Sequence, residues 1–125
     1  MEKNITVRLT ARLFAEEKCF GPGVARLLAA VDELHSLRSA AQSMNMAYSK
    51  AWAIVHGAEQ GFGCKLLHST IGGSGGGGAE LTDEARQIMA AYETYCARLN
   101  EYGQALFGEL FPFCARENHI DSTRK

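Results

Sequence analysis

Tyr48, Ser49 and Lys50 follow one another directly, and Ala53 and His56 come soon after. With Ala51, Val55, Ala58 and Phe62 spaced 4, 3 and 4 as the inward stripe of a helix, these five residues take the outward face. An ammonium, two hydroxyls and an imidazole on one face are hydrogen-bond donors, suited to phosphate oxygens and to the acceptors on base edges. Lys50 is the strongest candidate for such a contact. Trp52 lies beside the apolar stripe, and packing into the core is its expected use, with exposure on the outer face as the alternative. Upstream, Ser36, Arg38 and Ser39 form a second group of phosphate candidates at the start of another helical pattern.

The third group is backbone rather than side chain. Gly72, Gly73, Ser74, Gly75, Gly76 and Gly77 run on into Gly78, six glycines in seven residues. Such a run can be a linker, a phosphate-binding loop or the tip of a hairpin. A phosphate loop ends in Gly-Lys-Ser/Thr, whereas Gly78 is followed by Ala79 and Glu80. A linker would need a free-standing domain on either side. Lys65–Ile71 and Ala79–Leu81 read as extended segments, so the run is expected to be a hairpin tip. Without side chains there, backbone N–H groups can come close to phosphate oxygens.

No catalytic or metal-binding set emerges beside these groups. Cys19, Cys64, Cys96 and Cys114 form no CxxC pair, and His35, His56, His68 and His119 are scattered. Reduced thiols, no metal, no cofactor and no enzymatic activity are the expectation.

The elements that must position the candidates follow from periodicity. Residues 5–13 alternate apolar and polar, which predicts a half-buried strand. Gly21-Pro22-Gly23 breaks the chain, and Pro22 suits a first helical turn. Val24, Leu27, Leu28 and Val31 then form one helix stripe. Ser36 can cap a short helix carrying Leu37, Ala40, Ala41 and Met44. Asn45, tolerant of the left-handed conformation, marks a tight turn into the helix of Tyr48 and Lys50. A short helix, a turn and a second helix make either a helix-turn-helix or a generic helical hairpin, and the small Ala40 and Ala41 suit a close crossing.

Residues 82–110 carry the longest pattern. Leu81, Ala85, Ile88, Tyr92, Tyr95, Leu99, Tyr102 and Leu106 alternate spacings of 4 and 3, an a/d seam over more than three heptads. Thr82 is a plausible cap, with Asp83 and Glu84 at the positive helix start. Such a helix runs about 40 Å and overshoots a small domain. The seam residues from Ala85 to Leu106 are therefore expected at a homodimer interface, or else packed on the helix's own domain.

Length and composition bound the rest. At 125 residues, 46% hydrophobic and 22% charged, the chain is expected to be a single soluble domain. It would comprise a winged helix-turn-helix over 5–81, a long helix over 82–110 and a tail over 111–125. No apolar run reaches membrane length and no leader pattern opens the chain, so a cytoplasmic protein without a membrane role is expected. The net charge of −1 conceals a mildly basic middle, where Arg38, Lys50 and Lys65 face only Glu59.

Ser36-Leu37, Ala47-Tyr48-Ser49-Lys50-Ala51-Trp52 and, above all, the glycine run followed by Ala79-Glu80-Leu81-Thr82 resemble the N-terminal domain of the ModE family of molybdate-responsive, LysR-like regulators. The resemblance covers residues 5–110. It implies a mainly α fold with a small β hairpin, a winged helix-turn-helix with a long C-terminal dimerisation helix. It also implies a homodimeric, sequence-specific regulator of transcription that binds double-stranded DNA. In two respects the chain departs from the family. It ends at Lys125 without room for molybdate-binding modules, so molybdate is not expected in this chain. Ala47 stands where a hydroxyl residue usually opens the recognition helix, leaving the cap missing or supplied by Asn45. A winged helix that binds protein, and an oxyanion sensor at a dimer interface, remain the alternatives.

Overall fold

A computed structural model describes residues 4–70 and 77–114. Its elements in chain order are β1 (Leu13–Phe14), β2 (Lys18–Phe20), α1 (Pro22–Leu34), α2 (Leu37–Ser43), α3 (Tyr48–Phe62), β3 (Leu67–Thr70), β4 (Gly78–Leu81) and α4 (Asp83–Leu110). The chain divides into two compact units. One is Ala11–Ala91, and the other combines the described parts of Met1–Thr10 and Tyr92–Lys125.

The larger unit is a winged helix-turn-helix. Its core is built from the predicted stripes. Leu27, Leu28 and Val31 of α1, Ala40 and Ala41 of α2, and Ala51, Val55 and Ala58 of α3 are buried together with Phe20, Leu66 and Leu81. Each fully buried Leu or Phe contributes about 1.5–3 kcal/mol through lost apolar exposure. Phe62 departs from the expected stripe. It is the last residue of α3, remains 38% exposed, and meets the Phe20 ring edge-on with ring centroids 5.8 Å apart.

Local chemistry sets the element ends. Pro22 occupies the first turn of α1, where its missing N–H is not needed. Ser36 Oγ accepts the Ser39 N–H at 3.0 Å and caps α2. Asn45 takes φ 55°, and beyond it the Met46 N–H donates back to Ala41 O at 2.9 Å, closing the turn. Ala47 opens α3 with no side-chain cap, so Asn45 serves the turn and not the cap.

β3 and β4 pair antiparallel, from Leu67 opposite Leu81 to Thr70 opposite Gly78. The tip residues Gly72, Gly73, Ser74, Gly75 and Gly76 lie outside the described residues. A second, smaller hairpin pairs β1 with β2 across Ala15–Glu17, which the alternation over 5–13 did not foretell. Thr82 works in two directions. Its hydroxyl donates to Lys65 O at 2.7 Å and accepts the Ala85 N–H at 3.0 Å, tying the hairpin to the first turn of α4.

In the smaller unit the expected strand is corrected. Of residues 5–13, only Leu13 is in a strand; residues 4–12 alternate in sequence but are not assigned to a strand. A strand needs a neighbouring strand for its backbone groups, and here α4 side chains take that place. Asn100 Oδ1 accepts the Leu9 N–H and Asn100 Nδ2 donates to Leu9 O, both at 3.0 Å. Gln104 Nε2 donates to Val7 O at 2.7 Å. Gly103 leaves room for the Leu9 side chain, which a Cβ would strike.

Candidate nucleic-acid interface

The start of α2, the outward face of α3 and the base of the β3–β4 hairpin enclose one concave surface within the larger unit. Three contacts hold its walls. The Arg38 guanidinium lies 4.3 Å above the Tyr48 ring, linking the first turns of α2 and α3 by a cation–π contact. Glu59 of α3, only 11% exposed in its side chain, accepts the Leu66 N–H at 2.8 Å and reaches the Leu67 N–H at 3.5 Å. That carboxylate fixes where the hairpin leaves α3. Ala79 N–H donates to His35 O at 3.0 Å, seating β4 on the left-handed end of α1.

The seat requires Gly78. A Cβ there would lie 2.6 Å from Thr70 Oγ1 and 2.8 Å from His35 O, closer than real Cβ atoms come. The glycine next to it, Gly77, has open space, with Thr70 O 4.0 Å from its would-be Cβ.

Ser36, Arg38, Ser39, Tyr48, His56 and Gly77 all line this surface. Ser36 and Ser39 are half-buried, and the Ser36 hydroxyl already accepts the cap bond, so it has its O–H to offer. Ser49, Lys50 and Ala53 are exposed on α3 but outside the concavity itself. The seam residues of α4 divide. Ala85 is buried, Ile88, Tyr92 and Leu99 are half-buried, and Tyr95, Tyr102 and Leu106 are exposed.

Among the lining residues that the sequence reading did not place at the site are Gln42, Glu59, Lys65 and Trp52. Trp52 also corrects the expectation of core packing. It is 47% exposed and its ring stacks on His56, with centroids 3.8 Å apart and planes 21° apart. Ala51, Val55 and Ala58 form the buried side of α3, and Trp52, one residue after Ala51, stands off that stripe. The signal was present in the spacing, since Tyr48, Trp52 and His56 recur every four residues and so share a face.

Electrostatically the surface is mildly basic. Arg38, Lys50 and Lys65 stand against Glu59, whose carboxylate is occupied by backbone N–H groups, with Lys65 Nζ 4.0 Å away. Glu80 at the rim faces His68 at 3.8 Å. Among the described residues no cluster of His, Cys, Asp or Glu could hold a metal ion, and no helix is long and apolar enough to cross a membrane.

Comparison with known proteins agrees with this geometry. Residues 24–86, just over half of the chain, match the family described as bacterial regulatory helix-turn-helix protein, lysR family. The chain is similar to the transcriptional regulator ModE of Haemophilus influenzae, 28% identical over 89 residues, which are 71% of this chain and 33% of that protein. It is also similar to the molybdenum transport protein ModE of Herbaspirillum seropedicae, 29% identical over 101 residues, 81% of this chain and 34% of that one. A third relative is the molybdenum-pterin-binding protein MopB of Rhodobacter capsulatus, 33% identical over 66 residues, 53% of this chain and 24% of that one. The chain thus spans about a third or less of the length of these relatives. The matched segment contains α1 from Val24 onward, all of α2 and α3, and both hairpin strands, and its family is one of DNA-binding regulators rather than enzymes. By this match the chain belongs to the lysR family of bacterial regulatory helix-turn-helix proteins.

Proposed function

We propose that this chain is a cytoplasmic, sequence-specific DNA-binding regulator of transcription that works as a homodimer. The observation that carries the reading is the outward face of α3, exposed from Tyr48 to Ala53 and flanked by the start of α2 and the base of the hairpin. In this arrangement α3 enters the major groove with its N-terminal turns foremost. Lys50, Ser49 and Tyr48 meet base edges or phosphates, while Ser36, Arg38 and Ser39 meet the backbone. The glycine tip approaches a neighbouring phosphate run, where contacts position the protein without reading sequence.

Exposed Tyr95, Tyr102 and Leu106 on α4 support the homodimer. A charged or solvated face is the ordinary expectation for a free helix, and large apolar side chains repeated along one line suit a second copy. Two of the relatives carry molybdenum in their names. Molybdate is not part of this proposal, because the chain matches only part of those proteins.

The test is selection of genomic fragments by the purified protein, followed by shift assays across salt concentrations. Binding should weaken steeply with salt, as phosphate contacts release counterions. Equal, salt-independent behaviour towards all fragments would refute the reading, and would favour a winged helix that binds protein.

A further inference from the structure

We propose that Trp52 is a sequence-reading residue that recognises the 5-methyl group of thymine in the major groove. The proposal rests on the DNA-binding reading above and assigns it one further contact. Trp52 projects from the second turn of α3, between the α2 start and the hairpin base. Tyr48, Trp52 and His56 stand one helical turn apart on that face. The rings are held rather than loose. Arg38 covers Tyr48, and His56 covers one face of the indole.

A large apolar ring exposed at 47% on a largely polar concave surface gains most from contact with an apolar partner. Base edges in the major groove present nitrogen and oxygen acceptors, amino donors and a single apolar group, the thymine methyl. With one indole face covered by His56, the opposite face and the ring edge remain for that methyl. Stacking on His56 also fixes the ring before DNA arrives, so little side-chain freedom is lost on binding. The indole N–H could in principle donate to a purine N7, but that bond would leave the apolar ring area unmatched.

The test uses duplexes recovered by genomic selection, in which single thymines are replaced by deoxyuridine. That exchange removes the methyl and keeps every hydrogen-bonding group. Wild-type protein should lose about four-fold in affinity for each contacted thymine, the value of one buried methyl. Trp52→Ala should bind thymine and uracil duplexes alike, and Trp52→Phe should keep part of the discrimination. Thermal midpoints of both variants should match the wild type, showing that the fold is intact. No thymine-to-uracil effect at any position would overturn the assignment, as would a discrimination that Trp52→Ala retains. A loss with 7-deazapurine that depends on Trp52, without any uracil effect, would overturn it in favour of the indole N–H. Failure of every duplex to bind wild-type protein would instead overturn the DNA-binding reading itself.

Discussion

Glu59→Ala removes the acceptor that anchors the hairpin to α3, and its cost can be worked from the contacts. The Leu66 N–H donates to Glu59 Oε2 at 2.8 Å, and Leu66 is fully buried. A hydrogen bond to a charged acceptor contributes about 1.5–3 kcal/mol, and removing the acceptor leaves a buried N–H unpaired. The Leu67 N–H at 3.5 Å is at the limit of hydrogen bonding and adds little. Lys65 at 4.0 Å is largely exposed and His56 stands at 3.5 Å, so these pairs add at most a few tenths of a kcal/mol. The sum is about 2–3 kcal/mol. For a domain of this size that lowers the thermal midpoint by about 8–12 °C, at about 4 °C per kcal/mol. Glu59→Gln keeps a carbonyl oxygen for Leu66 and loses only the charge, so it should cost about 1 kcal/mol, or about 4 °C. Circular-dichroism melts of the three proteins decide the matter. An alanine variant within 2 °C of wild type, or a glutamine variant as damaged as the alanine one, would refute the anchoring role (about 0.5 kcal/mol being the scale of an ordinary surface change).

The remaining predictions concern the hairpin, the helix face and the seam. Gly78→Ala should lower the melting temperature, because its Cβ would strike Thr70 and His35 and overpacking costs about 1–3 kcal/mol. Gly77→Ala should melt with the wild type, since the space there is open. Lys50→Ala should leave stability unchanged, because the side chain is exposed, while reducing the slope of log affinity against log salt by about one unit; an unaltered slope removes Lys50 from the phosphate contacts. Leu99→Asp should convert a dimer to monomers in sedimentation and weaken DNA binding sharply, because a carboxylate would sit unpaired in an apolar seam. A wild-type protein that sediments as a monomer would defeat that prediction at the outset.

Local patterns carried much of this architecture. The apolar spacing of α1, α2 and α3, the Ser36 and Thr82 caps, the left-handed Asn45 and the glycine-joined hairpin were all legible, because each depends on residues within a turn or two of one another. The outward face of α3 was legible for the same reason. Periodicity says which residues share a face. It does not say what covers that face.

That second question was decided in three dimensions. Alternation over residues 5–13 specified a two-faced extended segment, and only the fold determined that Asn100 and Gln104, far along the chain, would take its backbone groups in place of a strand. Trp52 had the composition of a core residue, yet it stands off the buried Ala51–Val55–Ala58 stripe and is 47% exposed on the concave face. Glu59 looked like one acid among a few bases until Leu66 brought its buried N–H to the carboxylate. Gly78 is the clearest division between the two kinds of information. The sequence by itself read it as the last residue of a glycine-rich hairpin tip, whereas it is the first residue of β4, paired with Thr70. Its tertiary role, as the gap through which β4 docks on the end of α1, follows from the 2.8 Å that would separate any Cβ from His35 O, a contact between residues 43 positions apart that no local pattern encodes.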